Sequence, residues 1–193
     1  MRYLLPLMLM AGAAAAEPVG ITSDTMSVTV ETPSGPVEIS RIQDNAHVLE
    51  APWAMTSRPC PGFCIQPEIP APGVTPISEL DVLAFLQDPE AVVVDGRIRS
   101  QYEAGTIPGA ISVPYLEARD RLGELGCEVD FDGFICPEDV PRVALFCNGP
   151  WCGQSPTAAR RMIEAGYPAE KIYYYRGGMT VWQLLGLTVV PGT

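Results

Sequence analysis

Histidine and lysine are the scarcest residue types in this chain of 193 residues, because each occurs once, as His47 and Lys171. A single histidine cannot build a multi-histidine zinc site, and it must lie in the right place to serve any catalytic triad. Positive charge is also short: 12 basic side chains stand against 23 acidic ones, and the formal net charge is −11. Affinity for nucleic acid depends on neutralising phosphates with Lys and Arg, so this balance argues against a nucleic-acid partner.

Long hydrophobic runs are absent after the N-terminal segment, so we expect no membrane span in the mature chain. The N-terminal segment itself has the three parts of a secretory signal: Arg2, a short apolar stretch from residue 4, and small residues at 14–16. We therefore expect residues 1–16 to be a signal peptide. The mature protein would be exported to the bacterial periplasm, or otherwise secreted, where disulfides are permitted.

Residues 17–75 differ in pattern from the rest of the chain. Stretches 26–30 and 37–40 alternate apolar and polar side chains around the turn sequence PSGP, which predicts a β-hairpin. Residues 52–76 are rich in proline and include Cys60 and Cys64, which predicts an extended loop. We interpret residues 17–75 as an N-terminal arm packed on a main domain.

The main domain, residues 76–193, alternates helical and strand patterns. A helix is predicted after Ser78 and further helices at 115–125, 156–165 and 179–185; strands are predicted at 91–95, 111–113, 142–146 and 171–175. Such alternation predicts an α/β fold with a central parallel sheet flanked by helices.

The segment VALFCNGPWCGQSPTAAR, residues 143–160, is the most informative for chemistry. A buried strand ends at Cys147, a glycine-containing loop follows, and a helix begins at about Ser155. Loop amides and the helix N-terminus converge at this edge of a parallel sheet, and they stabilise a thiolate. We predict Cys147 as the nucleophile and Cys152 as a resolving thiol, in a substrate-binding loop formed by Asn148, Gly149, Pro150, Trp151, Gly153, Gln154 and Ser155. The alternative is that both cysteines are only buried or disulfide-linked.

Three ordered segments, 94–114, 143–160 and 175–186, resemble the rhodanese-like domain, and the resemblance covers about residues 76–190. It implies a small α/β domain in which Cys147 carries sulfane sulfur as a persulfide between a small donor and a thiol acceptor. We expect no cofactor and no metal. Asp95 and Arg97 match the family's Asp-x-Arg, which implies a supporting, structural role.

Two departures from the family pattern concern the site: Thr106 stands where the family has histidine, and the cysteine loop lacks an arginine. The fifth residue after Cys147 is Cys152 where the family commonly has arginine, so the loop lacks a cation for an anionic donor such as thiosulfate. The substitutes we consider are Arg160, Arg161 and Arg176. The same absence argues against a phosphatase, which needs a loop arginine to clamp phosphate.

Two functions compete with sulfur transfer. Cys147 and Cys152 could cycle through a disulfide in a thiol-disulfide redox protein. Alternatively, the domain could be a non-catalytic module, which binds a basic or redox protein through the acidic segment 117–139, where eight carboxylates lie.

The other four cysteines favour two structural disulfides, 60–64 and 127–136, although other connectivities remain open. A zinc site is disfavoured because the x3 and x8 spacings differ from the usual zinc knuckles. A third option is that the pair 60–64 approaches Cys147 and exchanges with it.

Overall fold

The structure is a computed structural model that describes residues 17–131 and 133–193. The predicted signal peptide, residues 1–16, lies outside this range. Among the described residues, no helix is both long and apolar enough to cross a bilayer.

The arm begins with the predicted hairpin. Strands β1 (Ser27–Val30) and β2 (Val37–Ser40) pair antiparallel, with Val30 opposite Val37. Val30 and Ile39 are buried against the main domain. The hairpin is therefore part of the core on one face of the main sheet.

The main sheet has five parallel strands, and it confirms the predicted α/β class. In chain order the strands are β3 (Thr75–Pro76), β4 (Ala91–Asp95), β5 (Ile111–Ser112), β8 (Arg142–Phe146) and β9 (Ile172–Tyr175). Their spatial order is β3-β9-β8-β4-β5, which places β8 at the centre. The residue that follows β8 is Cys147, so the cysteine loop leaves the middle of the sheet at its carboxyl edge.

Helices cover both faces of the sheet. They are α1 (Glu79–Leu86), α2 (Arg99–Ala104), α3 (Gln154–Glu164) and α4 (Gly178–Leu184). Helix α3 packs on one face, whereas α1, α4 and the hairpin pack on the other. At the start of α1 the Ser78 amide donates to the Asp81 carboxylate at 2.8 Å, which satisfies one of the exposed backbone groups of the helix end.

The prediction of a helix at 115–125 is wrong. This stretch forms turns, followed by a short 3-10 helix at Leu122–Leu125 that ends at Gly126 with φ of 87°. The following acidic residues form a second hairpin, β6 (Glu128–Asp130) and β7 (Gly133–Ile135), which pair antiparallel. The structure contains the disulfides Cys60–Cys64 and Cys127–Cys136, and the second one closes the base of this hairpin.

Candidate functional site

The cysteine loop runs from Cys147, directly after β8, to Gln154, where α3 begins. Both of its cysteines are free thiols. Cys147 is 1% exposed, and its Sγ donates to the Cys152 carbonyl oxygen at 3.2 Å. Cys152 is 6% exposed, and its Sγ lies 3.4 Å from Gln154 Oε1 and 3.7 Å from Asn148 Nδ2.

The beginning of α4 holds the beginning of the loop. The Met179 amide donates to the Cys147 carbonyl at 2.9 Å, and the Thr180 hydroxyl donates to the Asn148 carbonyl at 2.7 Å. Gly178 makes this approach possible: a Cβ atom at this position would lie 2.2 Å from the Cys147 carbonyl oxygen, and its φ is 54°. The glycine of the third family-like segment thus fixes the reactive loop.

The two thiols titrate as a pair. The neighbouring Cys147 thiol lowers the pKa of Cys152 to about 6, and the Asn148 and Gln154 amides add to this effect against the opposing effect of burial. Burial raises the pKa of Cys147 well above its ordinary value, and the neighbouring Cys152 raises it further. Ionisation of one thiol therefore opposes ionisation of the other, and the direction of the two shifts favours the thiolate on Cys152.

Asp95 and Arg97, the predicted supporting residues, form a buried salt bridge next to the cysteine loop. Arg97 Nη2 lies 2.6 Å from Asp95 Oδ2, and the two side chains are 2% and 0% exposed. The Arg97 guanidinium also donates to the Gly105 carbonyl at 2.6 Å and lies 3.5 Å from Asn148 Oδ1. Thr106, which stands where the family has histidine, donates its hydroxyl to Asp95 at 2.8 Å. The bridge thus joins the end of β4 to the loop that carries the thiols.

A pocket of about 420 Å³ opens next to Cys152. Cys152 lines it, whereas Cys147 lies behind it and does not. From the predicted loop it is lined by Asn148, Trp151, Cys152, Gly153 and Gln154, and from the arm by Pro52, Trp53, Arg58, Gly62 and Phe63. The arm therefore builds one wall of the pocket, whereas the sequence analysis considered an approach of the pair 60–64 to Cys147 only as one option.

The arm is hydrogen-bonded to the cysteine loop. The Gln66 amide donates to the Pro150 carbonyl at 2.8 Å, and Arg176 Nε donates to the Gln66 carbonyl at 3.0 Å. The rings of Phe63 and Trp151 have their centres 6.2 Å apart. These contacts hold the Cys60–Cys64 segment of the arm against the cysteine loop.

The basic residues near the site are arranged differently from the expectation. Arg160 donates to the Pro70 carbonyl and Arg161 to the Leu116 carbonyl, and neither lines the pocket. The arginine that lines it is Arg58, which sequence reasoning missed. The sequence feature that could have indicated Arg58 is a basic residue two positions before Cys60 in the proline-rich segment. His47 lines a different cavity, with Leu187 and Val189.

The described part of the chain holds no group of three or more His, Cys, Asp or Glu side chains that could bind a metal ion. Ser155 is fully buried, and its hydroxyl oxygen has no hydrogen-bond partner within the described residues. The site brings together the two thiols, the amides around them and the polar side chains of the pocket.

A parallel α/β sheet whose central strand leads into a cysteine loop defines the class of this protein. The Rhodanese-like domain family matches residues 78–185, more than half of the chain. The chain belongs to the rhodanese-like domain family.

Two curated relatives illustrate how this domain occurs in longer proteins. An HTH-type transcriptional regulator of Mycobacterium tuberculosis is 33% identical over 116 residues, which are 60% of this chain and 45% of the regulator. A tRNA uridine(34) hydroxylase of Teredinibacter turnerae is 30% identical over 96 residues, 50% of this chain and 27% of the hydroxylase. The chain therefore spans less than half of the length of these relatives.

Solved structures with similar chains include a thiosulfate sulfurtransferase from Pseudomonas aeruginosa, 27% identical, with a TM-score of 0.44 over 62% of this chain and 21% of that chain. A protein from Bacillus halodurans is 21% identical, with a TM-score of 0.48 over 61% of this chain and 77% of that chain.

Proposed function

We propose that this protein is a sulfurtransferase that carries sulfane sulfur as a persulfide on the cysteine pair of the loop. The observation that carries the proposal is a free thiol of lowered pKa, Cys152, which lines a pocket and is surrounded by amides at the end of a parallel strand. A thiolate in such a cradle is a competent nucleophile at neutral pH.

Motif position and the lining of the pocket favour different carriers. The resemblance assigned the persulfide to Cys147, yet Cys152 is the thiol that lines the pocket. We propose that Cys152 accepts the sulfur and that Cys147, protonated behind it, is the second thiol of the pair. With thiosulfate, the Cys152 thiolate would attack the outer sulfur, the S–S bond would break, and sulfite would leave with the electron pair.

Intact mass spectrometry tests the proposal on the wild type and on the variants Cys147→Ser and Cys152→Ser. After incubation with thiosulfate or benzenethiosulfonate, we expect a cyanide-labile gain of one sulfur atom in the wild type and in Cys147→Ser, and none in Cys152→Ser. A gain that requires only Cys147 would return the carrier role to that residue. No gain with any donor would contradict sulfur transfer.

A second function is favoured by the closeness of the two free cysteines. Because Cys147 Sγ lies 3.2 Å from the carbonyl oxygen of Cys152, oxidation could join the two thiols in a disulfide, as in a thiol-disulfide redox protein. A mass loss of two hydrogens that maps to Cys147 and Cys152, without any sulfur gain, would favour this function. If the thiols stay inert towards donors and oxidants, a non-catalytic binding module is favoured instead.

We also propose that the protein is exported. The two disulfides lie outside the cysteine loop, and structural disulfides are typical of proteins in an oxidising compartment. Fractionation of the producing cells, with the mass of the recovered protein, tests this: we expect a chain that begins at Glu17 outside the cytoplasm. A full-length chain in the cytoplasmic fraction would contradict export.

A further inference from the structure

The pocket beside Cys152 contains a cation that comes from the arm. The guanidinium carbon of Arg58 lies 4.7 Å from the centre of the Phe63 ring and 5.5 Å from that of Trp151. Its Nη2 donates to the Pro52 carbonyl, and its Nε is buried without a hydrogen-bond partner. Within residues 17–131 and 133–193, no ion pair includes Arg58. Arg58 therefore presents unpaired positive charge in a chain whose net charge is −11.

Several features hold Arg58 at this place. The residue before it, Ser57, has φ of 55°, which is rare for a residue with a side chain and is often found at functional sites. On the other side, the Cys60–Cys64 disulfide and the hydrogen bond between Gln66 and Pro150 fix the segment on the cysteine loop. Cation–π contacts of the Arg58 guanidinium with the rings of Phe63 and Trp151 add to these constraints. The position of Arg58 is thus set by both the arm and the loop.

A cation is needed here because the reactants repel each other. The Cys152 thiolate and an anionic sulfur donor carry like charges, so their approach is unfavourable unless a positive group lies between or beside them. The cysteine loop itself supplies no basic side chain between Cys147 and Ser155. Since Arg176 is bonded to the Gln66 carbonyl and does not line the pocket, Arg58 is the guanidinium available to a donor there.

The pocket is larger than an inorganic anion requires. Its volume of about 420 Å³ is in the range typical of small-molecule sites. Trp53, Phe63 and Trp151 supply aromatic surface around the single guanidinium. A ligand that matches this lining has one anionic end and one planar or apolar organic group.

We propose that the arm is part of the active site and that Arg58 binds the anionic end of an organic thiosulfonate donor, whose organic group contacts the aromatic side chains of the pocket. This inference rests on the proposed sulfurtransferase function and names its donor class. The arm thereby supplies the cation that the cysteine loop lacks.

The reaction balances without any other reactant. The Cys152 thiolate attacks the outer sulfur of R–SO2–S⁻, a new S–S bond forms, and the bond between the two donor sulfurs breaks. The electron pair leaves with the sulfinate R–SO2⁻, and Cys152 becomes a persulfide anion. Two negative charges are present before and after the step, so Arg58 binds an anionic group throughout.

Steady-state sulfur transfer from benzenethiosulfonate and from thiosulfate tests the proposal in the full mature chain. We expect Arg58→Gln to raise KM for both donors by about tenfold or more, since a hydrogen bond to a charged group is lost, with a smaller change in kcat. Arg58→Lys should restore part of this loss. The matched control is Arg119→Gln, which removes the same charge from an exposed position and should change neither parameter.

Two further measurements separate binding of the donor from support of the fold. The rate at which a preloaded persulfide reacts with dithiothreitol, an uncharged acceptor, should be the same in Arg58→Gln and the wild type. Phe63→Leu should lower the preference for benzenethiosulfonate over thiosulfate, and the wild type should prefer benzenethiosulfonate.

The outcomes that overturn the inference differ from those that overturn the function. If the wild type forms a persulfide and Arg58→Gln has an unchanged donor KM, the proposed role of Arg58 is wrong while sulfur transfer stands. If Arg58→Gln slows the dithiothreitol reaction as much as the donor reaction, Arg58 only supports the fold. A wild type that accepts sulfur from no donor refutes the function itself.

Discussion

Gly178 shows how one residue determines the geometry of the cysteine loop. It lies at the start of α4, where the backbone approaches the Cys147 carbonyl too closely for any side chain. Its φ of 54° is also in the left-handed region that favours glycine. Space and backbone conformation therefore both require glycine here.

We predict that Gly178→Ala destabilises the protein by about 2 kcal/mol or more. The new Cβ atom would displace the Cys147 carbonyl, and the alanine would have to adopt a left-handed backbone conformation that is strained for it. Urea unfolding measures this change. Gly123→Ala is the matched control, since no atom lies within 4 Å of its added Cβ. Equal stability of both variants would contradict the steric argument.

The thiol pair gives a second prediction at this scale. Alkylation of Cys152 by iodoacetamide, followed by peptide mass spectrometry, should have its midpoint at a pH of about 6 in the wild type. Cys147→Ala removes the largest cause of the lowered pKa, so the midpoint should move towards the ordinary cysteine value of about 8.5. Cys147→Ser keeps a donor and should move it less. One common midpoint for all three proteins would show that Cys147 does not set the Cys152 pKa.

Among the elements, the strands buried within the main sheet were the easiest to predict, whereas the short strands β3, β6 and β7 were missed. The continuous β-branched run AVVVD formed β4, and RVALF formed β8, because strands buried on both faces are apolar throughout. Helix α2 was missed, since its six residues are too few for a clear periodic pattern. The segment 115–125, wrongly predicted as a helix, contains apolar residues at helical spacing. These residues are buried against α3, but the backbone that carries them forms turns and a short 3-10 helix.

The β6–β7 hairpin depends on its disulfide. Its tip exposes Phe131 almost completely, at 99%, whereas Cys127 at its base packs in the core beside Leu122. We predict that Cys127→Ser with Cys136→Ser lowers the free energy of unfolding by about 2–3 kcal/mol, because the unfolded chain regains loop entropy.

Hydrogen exchange locates the effect of that change. Faster exchange should be confined to residues near 126–141, and the amides of the cysteine loop should keep their protection. If the loop amides also lose protection, the hairpin is coupled to the site. Docking of a basic or redox protein at the acidic segment 117–139 stays a prediction.

For the whole molecule, the thiol pair couples stability to pH. The pKa of Cys152 is lower in the folded state than in the unfolded chain, so the unfolded state binds more protons between pH 6 and about 8.5. Stability should rise with pH through this window by about 2–4 kcal/mol, and this contribution is lost as pH falls through 6. Above pH 8.5 the protonated Cys147 reverses the trend, since the unfolded thiol ionises first.

Urea unfolding at pH 6, 7.5, 8.5 and 10 measures this dependence, with the double variant Cys147→Ala, Cys152→Ala as the control. The rise should disappear in the control, and the later fall should become smaller there but not vanish, because burial also raises the pKa of Tyr167, Tyr174 and Tyr175. A wild type whose stability parallels that of the double variant at every pH would contradict the coupled titration of the two thiols.

The sequence by itself determined the family segments, the parallel α/β class and the two cysteines of the loop, because these depend on local pattern and on residues close together in the chain. Only the tertiary structure decided which thiol lines the pocket and which cation accompanies it. Cys147 and Cys152 are both buried, and only the packing of the arm on the cysteine loop forms the pocket that Cys152 lines. Arg58 lies more than 90 positions before Cys152. No local pattern relates two residues that come together only when the arm packs on the loop.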